Sequence, residues 1–463
     1  MAIAMALSGC MTVFNAQEAQ MAVAAKGDGC VFTSGKVDLA DYSLRELVDF
    51  AMTNRPSVKS TALAVADARL ALREIAADAP LVSYSPWTSP HLSLSGGYNA
   101  SSESADRLRW HTEGKASAGI SLDILIYDFG RNHARAAEQI EKVIAAEYAF
   151  IKEGYAVFDE VSSAYFNLLE ADAMLEVALT NEMEYVIHLQ QTKDRLAAGE
   201  KQRLDLIRAR LDVSKAREVT VSASNAVTTC GASLMKALGI EASRGTRDEV
   251  FPKRNVSLST VIRGFADTNY GITEALDFSR TNSPAMAIAR ARLRSASRAV
   301  DYAIADLLPS ISAEIGVNWV DPLWSWHWGV SAVQSIFQGF RKTTAVDRAV
   351  VQMQSAAVAV DQEEQELSLA LELAIAERDN AIKARETARA SVASSRENLE
   401  MIKAQYREGE LSRVEFTDSV SDYATALGSR ISAFYRGQMA EAKLFALSGT
   451  IPEYREETVK ERQ

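Results

Sequence analysis

The side chains best placed to do chemistry are carboxylates that follow two glycine-marked breaks in long helical stretches. Glu415 and Asp418 lie three residues apart, so a helix carries both on one side, and Asp205 follows the earlier break. Acidic groups held close together attract cations and raise one another's pKa values. Without further context, the simplest interpretation of Glu415 and Asp418 is a solvated helix face.

A catalytic or metal centre finds little support in the sequence. The five histidines are scattered without the spacing of metal ligands. The three cysteines, Cys10, Cys30 and Cys230, fit neither a zinc site nor a disulfide framework. Neither a phosphate-binding glycine loop nor a nucleophile elbow is present in the sequence. We therefore predict no enzyme activity, no cofactor and no metal site.

The charge and hydropathy of the chain argue against nucleic acid as a partner and against a helical membrane span. The 463 residues carry a net charge of −11, whereas nucleic-acid binding needs a concentrated basic face. No stretch approaches the roughly 18 consecutive apolar residues that a transmembrane helix requires. If the chain crosses a membrane, it must do so as β-strands.

Two long helix-forming stretches carry these carboxylates beyond their far ends. Arg341–Glu408 spans 68 residues without Gly or Pro and is rich in good helix formers. Arg131–Ala198 has the same length, with Gly154 as its single breaker. A straight helix of this length is about 100 Å long, far more than a compact domain needs. Apolar residues seven apart in both stretches predict coiled-coil packing against partner helices.

A glycine follows each long stretch. We expect Gly199 and Gly409 to supply the positive φ of tight turns between helices. Helical sequence then resumes, and these return helices must run back antiparallel along the long ones. The predicted return helices are Gln202–Leu238 and Leu411–Leu447. The shorter helices predicted to stack end to end with them are Ser57–Ala79 and Ala285–Leu308.

The chain is a tandem repeat. Glu46–Pro56 recurs as Glu274–Pro284, with Glu, Asp, Phe, Thr, Asn and Pro at a constant offset of 228. Matching long stretches and matching glycine-marked ends follow in both copies at an offset of 210. The predicted segments are a signal with lipobox (1–10), a flexible tether (11–40), repeat 1 (41–239), a linker (240–268), repeat 2 (269–449) and a charged, solvated tail (450–463).

Between the short and long helices of each copy, the hydrophobic period changes from that of a helix to that of a strand. We predict one hairpin at about 91–126 and another at about 310–334, with strands of about ten residues, a length that crosses a bilayer when tilted. Trp324, Trp326 and Trp328 alternate along the last strand, as expected of an aromatic girdle at a lipid interface. The alternative is the edge of a soluble sandwich with tryptophans in its core.

The N-terminus resembles a bacterial lipobox, with Leu7-Ser8-Gly9-Cys10 after a short apolar run. We expect a lipid on Cys10. No Lys or Arg precedes the apolar run, although a signal peptide requires one. An ordinary unstructured start is therefore the alternative interpretation.

Together these features resemble the TolC-like outer membrane efflux proteins of Gram-negative bacteria. The resemblance covers about Tyr42 to Gly449. It rests on the doubled Asn-x-Pro openings, the strands, the long helices and the two tip turns. The turns from strand to long helix, at Phe129-Gly130-Arg131 and at Gln338–Arg341, also resemble the glycine-bearing turns of this family.

The resemblance implies a mainly α fold with a small β part. Each tandem-repeat protomer would contribute long helices to an α-helical barrel in the periplasm, and four β-strands to a trimeric twelve-stranded transmembrane β-barrel. The implied partners are two further copies of the chain, outer-membrane lipid, a periplasmic adaptor that docks at Gly199 and Gly409, and an inner-membrane transporter. The implied function is a passive exit duct for tripartite efflux or type I secretion. A periplasmic coiled-coil scaffold or adaptor without a pore is the alternative.

In this family the tunnel narrows at the helix tips. Matching on the tip glycines places Glu415, Asp418 and Asp205 at the acidic positions, and Tyr406 at the position of a gating tyrosine. Tripled by symmetry, Glu415 and Asp418 would place six carboxylates in one constriction, for which we expect cation preference and raised pKa values. An arginine that helps to close some members is replaced by Leu411, with an arginine two residues later.

Overall fold

The computed structural model describes residues 44–77, 91–103, 111–199, 202–240, 258–263, 278–320, 323–408, 411–449 and 453–458. The predicted lipidation site Cys10, the tether and the tip glycine Gly409 lie outside these residues. The described chain divides into two compact units. The first comprises the described parts of 1–60, 151–284 and 365–463, and the second those of 61–150 and 285–364.

Helices make up most of the described chain. They are α1 (Leu44–Asn54), α2 (Pro56–Ala77), α3 (Arg131–Ala197), α4 (Arg203–Ala237), α5 (Pro284–Ala305), α6 (Arg341–Glu408) and α7 (Arg413–Ser448), and residues 278–282 are also helical. The two long helices and the two return helices are confirmed, with bounds that lie within two residues of the prediction. Among the described helices, none combines the length and the apolar character of a membrane span.

The return helices end against the starts of the short helices, as predicted, and both junctions lie in the first unit. A Cβ added to Gly239, at φ 74°, would meet the Arg55 backbone at 3.2 Å. A Cβ on Gly449, at φ 71°, would meet the Asn282 carbonyl oxygen at 2.7 Å. The Tyr155 hydroxyl donates to the Gly449 carbonyl at 2.7 Å. Glycine is therefore required at both places for its backbone conformation and for its lack of a side chain.

Each long helix begins with a tight turn that contains consecutive left-handed residues. Those with positive φ are Phe129 (52°), Gly130 (87°), Gly339 (61°) and Phe340 (62°). Such values are uncommon for phenylalanine, so both turns hold a strained residue beside a glycine. Within the second unit, Arg131 and Lys342, from the first turns of α3 and α6, pair with Asp306 at 3.4 and 3.3 Å. The duplicated turns are thereby fixed to one carboxylate at the end of α5.

The second unit also contains a four-stranded antiparallel sheet. Its strands are β1 (His91–Glu103), β2 (His111–Tyr127), β4 (Ser310–Val320) and β5 (Leu323–Val333), in the order β1-β2-β4-β5. The second hairpin has the predicted bounds, whereas the strands of the first have 13 and 17 residues and exceed the predicted ten. Mostly polar and small residues follow the alternating run of β1 and precede that of β2, and they hid the extra length.

The register of this sheet aligns the apolar positions of all four strands on one face. Leu94 pairs with Ile120, and Ile120 pairs with Val317, which pairs with Trp326. The opposite face carries mostly serine, glycine and charged residues; there the Ser93 and Ser121 hydroxyls lie 2.7 Å apart, and His327 lies 3.3 Å from Glu314. The apolar side chains are well exposed, with Leu94 at 81% and Trp326 at 74%.

A second, two-stranded sheet differs from the prediction. β3 (Leu258–Arg263) pairs antiparallel with β6 (Glu453–Thr458). These residues belong to the segments that we expected to be a linker and a charged tail, and the pairing joins the two segments. Each strand has only six residues, and β6 is mostly charged, so neither carries the alternation that marks a half-buried strand.

Candidate functional site

The candidate site lies in the first unit, where α3 and α6 end and α4 and α7 begin. Ser412 caps α7, with extended backbone dihedrals of φ −75° and ψ 156°. The Glu415 carboxylate accepts hydrogen bonds from the Ser412 N–H and hydroxyl, both at 2.8 Å. This is a capping box, which satisfies N–H groups that the first helical turn leaves free.

The capping hydrogen bonds make Glu415 a stronger acid. Hydrogen bonds from the Ser412 backbone and side chain lower the pKa of Glu415, because they favour its ionised form. The raised pKa values that we expect concern carboxylates gathered in a trimer, and they remain a prediction for that assembly. The Glu415 side chain is exposed, so the negative charge is available to ions in solution.

The first copy repeats this arrangement at Asp205. The Gln202 N–H donates to an Asp205 carboxylate oxygen at 3.3 Å at the start of α4. Asp205 and Glu415, which the repeat aligns, therefore occupy the same helix position and make the same kind of bond. Asp418 lies one turn further along α7, exposed to solvent.

Gly199 forms the predicted turn at the first tip. Its φ is 80°, its N–H donates to the Leu196 carbonyl at 3.0 Å, and a Cβ at this position would meet nothing within 4 Å. Glycine is favoured there by its backbone conformation, since there is space for a side chain.

Tyr406 lies in a buried aromatic cluster, which we call the tip cluster and define as His188, Tyr406 and Phe416. The three rings come from α3, α6 and α7, and their exposed fractions are 2%, 6% and 6%. Phe416 stacks on both neighbours, with centroid distances of 5.0 Å and interplanar angles of 20° to His188 and 22° to Tyr406. Leu399 and Val420 complete this small core.

The Tyr406 hydroxyl is hydrogen-bonded to His188. Its oxygen lies 2.9 Å from His188 Nε2, and either group can donate, depending on the imidazole tautomer. Burial is the main cause that raises the pKa of Tyr406, while Arg195, whose guanidinium carbon lies 5.6 Å from the ring centroid, opposes the shift. Tyr406 is therefore neutral near pH 7, and its hydroxyl is held by a histidine of the other repeat copy.

Ion pairs add to this connection between the copies. Arg413, two residues after Leu411, pairs with Asp212 on α4, and each side chain is 18% exposed. Lys403 on α6 pairs with Glu184 on α3 at 2.8 Å. The start of α7 is thus fixed to the first copy by an arginine that stands near, though not at, the position that the resemblance led us to expect.

Tyr185 on α3 makes a further contact with the start of α7. Its hydroxyl donates to the Thr417 carbonyl at 3.3 Å. Burial raises the pKa of Tyr185, and the carboxylates of Asp212 and Asp418 add to the shift. Asp418 is therefore close enough to influence groups that hold α7, although its own side chain faces solvent.

The remaining predicted site residues belong to the second unit. Trp324, Trp326 and Trp328 lie on β5 in the second unit, exposed by 73%, 74% and 69% on the apolar face of the sheet. Elsewhere in the described residues, no group of three or more His, Cys, Asp or Glu side chains is arranged to hold a metal ion. The candidate site is therefore a set of helix contacts with exposed carboxylates beside them.

The family of the chain follows from its match to a family model. The model of the outer membrane efflux protein family matches residues 47–240 and 275–450, most of the chain. This chain belongs to the outer membrane efflux protein family. The two matched stretches correspond to the two repeat copies, so the tandem repeat and the family prediction are both confirmed. No curated protein sequence matches the chain.

Solved structures resemble this efflux protein along most of its length. A membrane protein from Pseudomonas aeruginosa is 23% identical, with a TM-score of 0.75 over 88% of this chain and 93% of that chain. The CmeC outer membrane channel of Campylobacter jejuni is 15% identical, with a TM-score of 0.74 over 88% and 85%. The outer membrane protein VceC of Vibrio cholerae is 13% identical, with a TM-score of 0.74 over 88% and 96%. The predicted fold class, mainly helical with a four-stranded sheet, is confirmed.

Proposed function

We propose that this efflux protein is the outer-membrane channel subunit of a tripartite efflux or type I secretion system. It conducts substrates passively from a periplasmic adaptor and an inner-membrane pump to the exterior. The observation that carries the proposal is the four-stranded sheet, which has one continuous apolar face and one polar face and is joined to two helices of 67 and 68 residues.

The edges of this sheet argue for an oligomer. β1 and β5 are the outer strands of the sheet, and within the described residues each offers one edge to a further strand. Open backbone edges cannot be satisfied in lipid, and closure with other copies removes them. Three copies with four strands each would form a twelve-stranded barrel, with the apolar face toward lipid and the polar face toward the lumen.

Helix packing between copies has a suitable surface in the first unit. A groove of about 1020 Å³ runs beside α6 and α7, and its lining is dominated by alanine and serine. Small side chains allow helices to approach one another closely, so the groove can accept a helix of a neighbouring copy. The helices of the assembled copies would then build a tunnel in the periplasm.

We assign the closing element of this tunnel to the second tip. Glu415 and Asp418 are exposed near the start of α7, and a threefold axis would gather six such carboxylates. Rings of acidic side chains favour cations in a pore. Asp205 and the buried Tyr406 belong to the same region, Tyr406 as part of the core that holds α7 in place. The adaptor would dock on the helix tips near Gly199 and Gly409.

Membrane fractionation of cells that express the full-length gene, followed by light scattering of the detergent-extracted protein, tests the subunit assignment. We expect the protein in the outer membrane, with a protein mass near three times 50.5 kDa. A soluble monomer would refute the channel and favour a periplasmic scaffold or adaptor.

Planar-bilayer recordings test the acidic constriction. The double variant Glu415→Gln and Asp418→Asn keeps the side-chain sizes and removes both charges. We expect a higher conductance and weaker block by multivalent cations than in the unchanged protein, because the constriction loses its attraction for them. Glu397→Gln, an exposed acid elsewhere on α6, is the matched control and should leave the block unchanged. Currents that are identical in all three proteins would refute the constriction.

A further inference from the structure

We propose that His188 makes the tip pH-sensitive: protonation of its imidazole releases α7 from α3 and favours the open channel. This inference rests on the proposed gating role of the second tip. Its basis is the placement of an imidazole ring inside the contact that holds the tip together, where the family resemblance led us to expect carboxylates and a tyrosine.

The ring of His188 on α3 is buried and contacts residues of both α6 and α7. The ring is 2% exposed, lies 5.0 Å from the Phe416 ring and is hydrogen-bonded to Tyr406 at 2.9 Å. The Thr192 hydroxyl donates to the His188 carbonyl at 2.9 Å, one turn further along α3. Any change in the charge of this ring therefore acts at once on α6 and α7.

Charged and titratable groups surround the tip cluster on all four helices. They are Glu184, Tyr185 and Arg195 on α3, Asp205 and Asp212 on α4, Lys403 and Tyr406 on α6, and Arg413, Asp418 and Tyr423 on α7. Glu184 and Asp212 are already paired with Lys403 and Arg413, and Asp205 bonds its helix cap. Both Arg195 and Arg413 act on the Tyr406 hydroxyl. A proton on His188 would therefore add a third positive charge beside Tyr406, which Arg195 and Arg413 already influence.

The closed arrangement suits the neutral imidazole. A neutral ring can accept the Tyr406 hydroxyl proton or donate to its oxygen, whereas an imidazolium can only donate. A charge buried away from water carries a desolvation cost that exceeds the attraction between a cation and one aromatic face. The protonated ring is therefore better solvated when it leaves the cluster, and the contact between α3 and α7 weakens.

The direction of the pH effect follows from proton linkage. Because the closed tip holds the neutral ring, the stability of that state is present above the range in which histidine takes up a proton. It is lost as the pH falls through that range, which for an ordinary histidine lies between about pH 8 and pH 5. One proton per protomer can change the closed-to-open ratio by at most about tenfold per pH unit.

Hydrogen–deuterium exchange of the purified full-length protein tests this inference without any need for conduction. We expect protection of the peptides around Tyr406 and Phe416, after correction for intrinsic exchange rates, to fall as the pH is lowered from about 8 to about 5. His188→Phe keeps a buried ring that cannot be charged, and should remove the pH dependence. His188→Gln serves the same purpose if the phenylalanine packs poorly. His133→Gln, an exposed histidine at the start of α3, should keep the dependence.

Bilayer recordings over the same pH range then separate this inference from the proposed function. Conductance that rises in acid in the unchanged protein, but not in the two His188 variants, supports both. Hydrogen exchange that depends on pH in a protein that never conducts supports the His188 switch and refutes the channel. Conduction with equal pH dependence in the unchanged protein and in the His188 variants supports the channel and overturns the switch. Exchange protection that is independent of pH in the unchanged protein also overturns it.

Discussion

The two helix tips share their caps but differ in their cores. Asp205 and Glu415 make equivalent bonds at the starts of α4 and α7. At the offset of 210 residues, Tyr406 aligns with Leu196, and Phe416 with Leu206. The two leucines are partly exposed, whereas the two aromatic rings are each only 6% exposed. Duplication has kept the helix ends and changed what packs behind them.

This difference assigns different roles to the two copies. The second tip is held by contacts with the first copy, through His188 on α3 and Asp212 on α4. The hydrogen bond and the ion pair that hold the second tip can be broken and formed again when the charge of their partners changes. The second tip is therefore the better candidate for the moving element, and the first copy for the support.

The largest difference between the tips should come from their aromatic and aliphatic residues. Phe416→Ala removes the ring that stacks on both His188 and Tyr406, and substitutions of this kind cost about 3–5 kcal/mol. Leu206→Ala at the partly exposed equivalent should cost much less. Hydrogen exchange at the start of α7 and of α4 measures both. Equal losses at the two tips would contradict the proposed specialisation.

The ion pair of the second tip should give the next largest effect. Arg413→Ala leaves the Asp212 carboxylate, which is 18% exposed, without its cation, and we expect a local loss of about 1.5–3 kcal/mol. The equivalent change in the first copy, Arg203→Ala, is the control, because Arg203 is exposed. A double-mutant cycle with Asp212→Ala isolates the pair; a coupling free energy near zero would show that the pair does not hold α7.

The caps should differ less than the cores. Ser412→Ala removes a side-chain cap of α7, and the expected loss is about 1 kcal/mol of helix stability. Gln202→Ala in the first copy should cost less, since glutamine is not among the preferred cap residues. Thermal unfolding monitored by circular dichroism compares the stability of the two variants. Hydrogen exchange then shows which helix has lost stability. A larger effect at Gln202 would reverse the comparison.

The smallest effect should be the acid sensitivity of the second cap. The folded pKa of Glu415 is lowered by Ser412, so its contribution is present above the ordinary glutamate pKa and is lost as the pH falls through the folded value. Exchange protection at the start of α7 should therefore decline in strong acid, below the range that concerns His188. Glu415→Gln should abolish this acidic step and leave any step above about pH 5 in place. A step that survives in Glu415→Gln belongs to another group.

The boundaries of the fold could be predicted from the sequence because they are marked by local signals. Pro56 and Pro284 are the first residues of α2 and α5, and Gly199 forms the turn that follows α3. The absence of Gly and Pro fixed the extent of α6. The pairing of β3 with β6 could not be predicted, since it joins segments far apart in the chain that share no pattern.

The coiled-coil seams were predicted only in part. Among the large apolar residues of the long helices, Val392, Leu399 and Tyr406 lie seven apart and are buried, but Ile382 and Val186 are each 46% exposed. A further buried series with sevenfold spacing is formed along α6 by Ala374, Ala381 and Ala388, and along α3 by Ala164, Ala171 and Ala178. Small alanines allow closely packed helices, and a search for large apolar residues passes over them.

His188 was missed for a related reason. As one of five scattered histidines it has no metal-ligand spacing, so nothing in the histidine pattern pointed to it. A usable signal was present in its neighbours: Tyr185, His188, Thr192 and Arg195 follow the three-and-four spacing of one helix face. Its partner Tyr406 lies 218 residues away, and that contact is set by the packing of the two copies.

The most direct test of the channel and its gate is a single-channel recording in planar bilayers. We would compare the unchanged protein with the double variant Tyr406→Phe and Arg413→Ala, which loses the hydrogen bond to His188 and the ion pair to Asp212 but keeps the aromatic ring. We predict a low conductance for the unchanged protein and a larger, steadier conductance for the variant. Equal conductances would contradict a gate held by these contacts, and no conductance in either protein would contradict the channel.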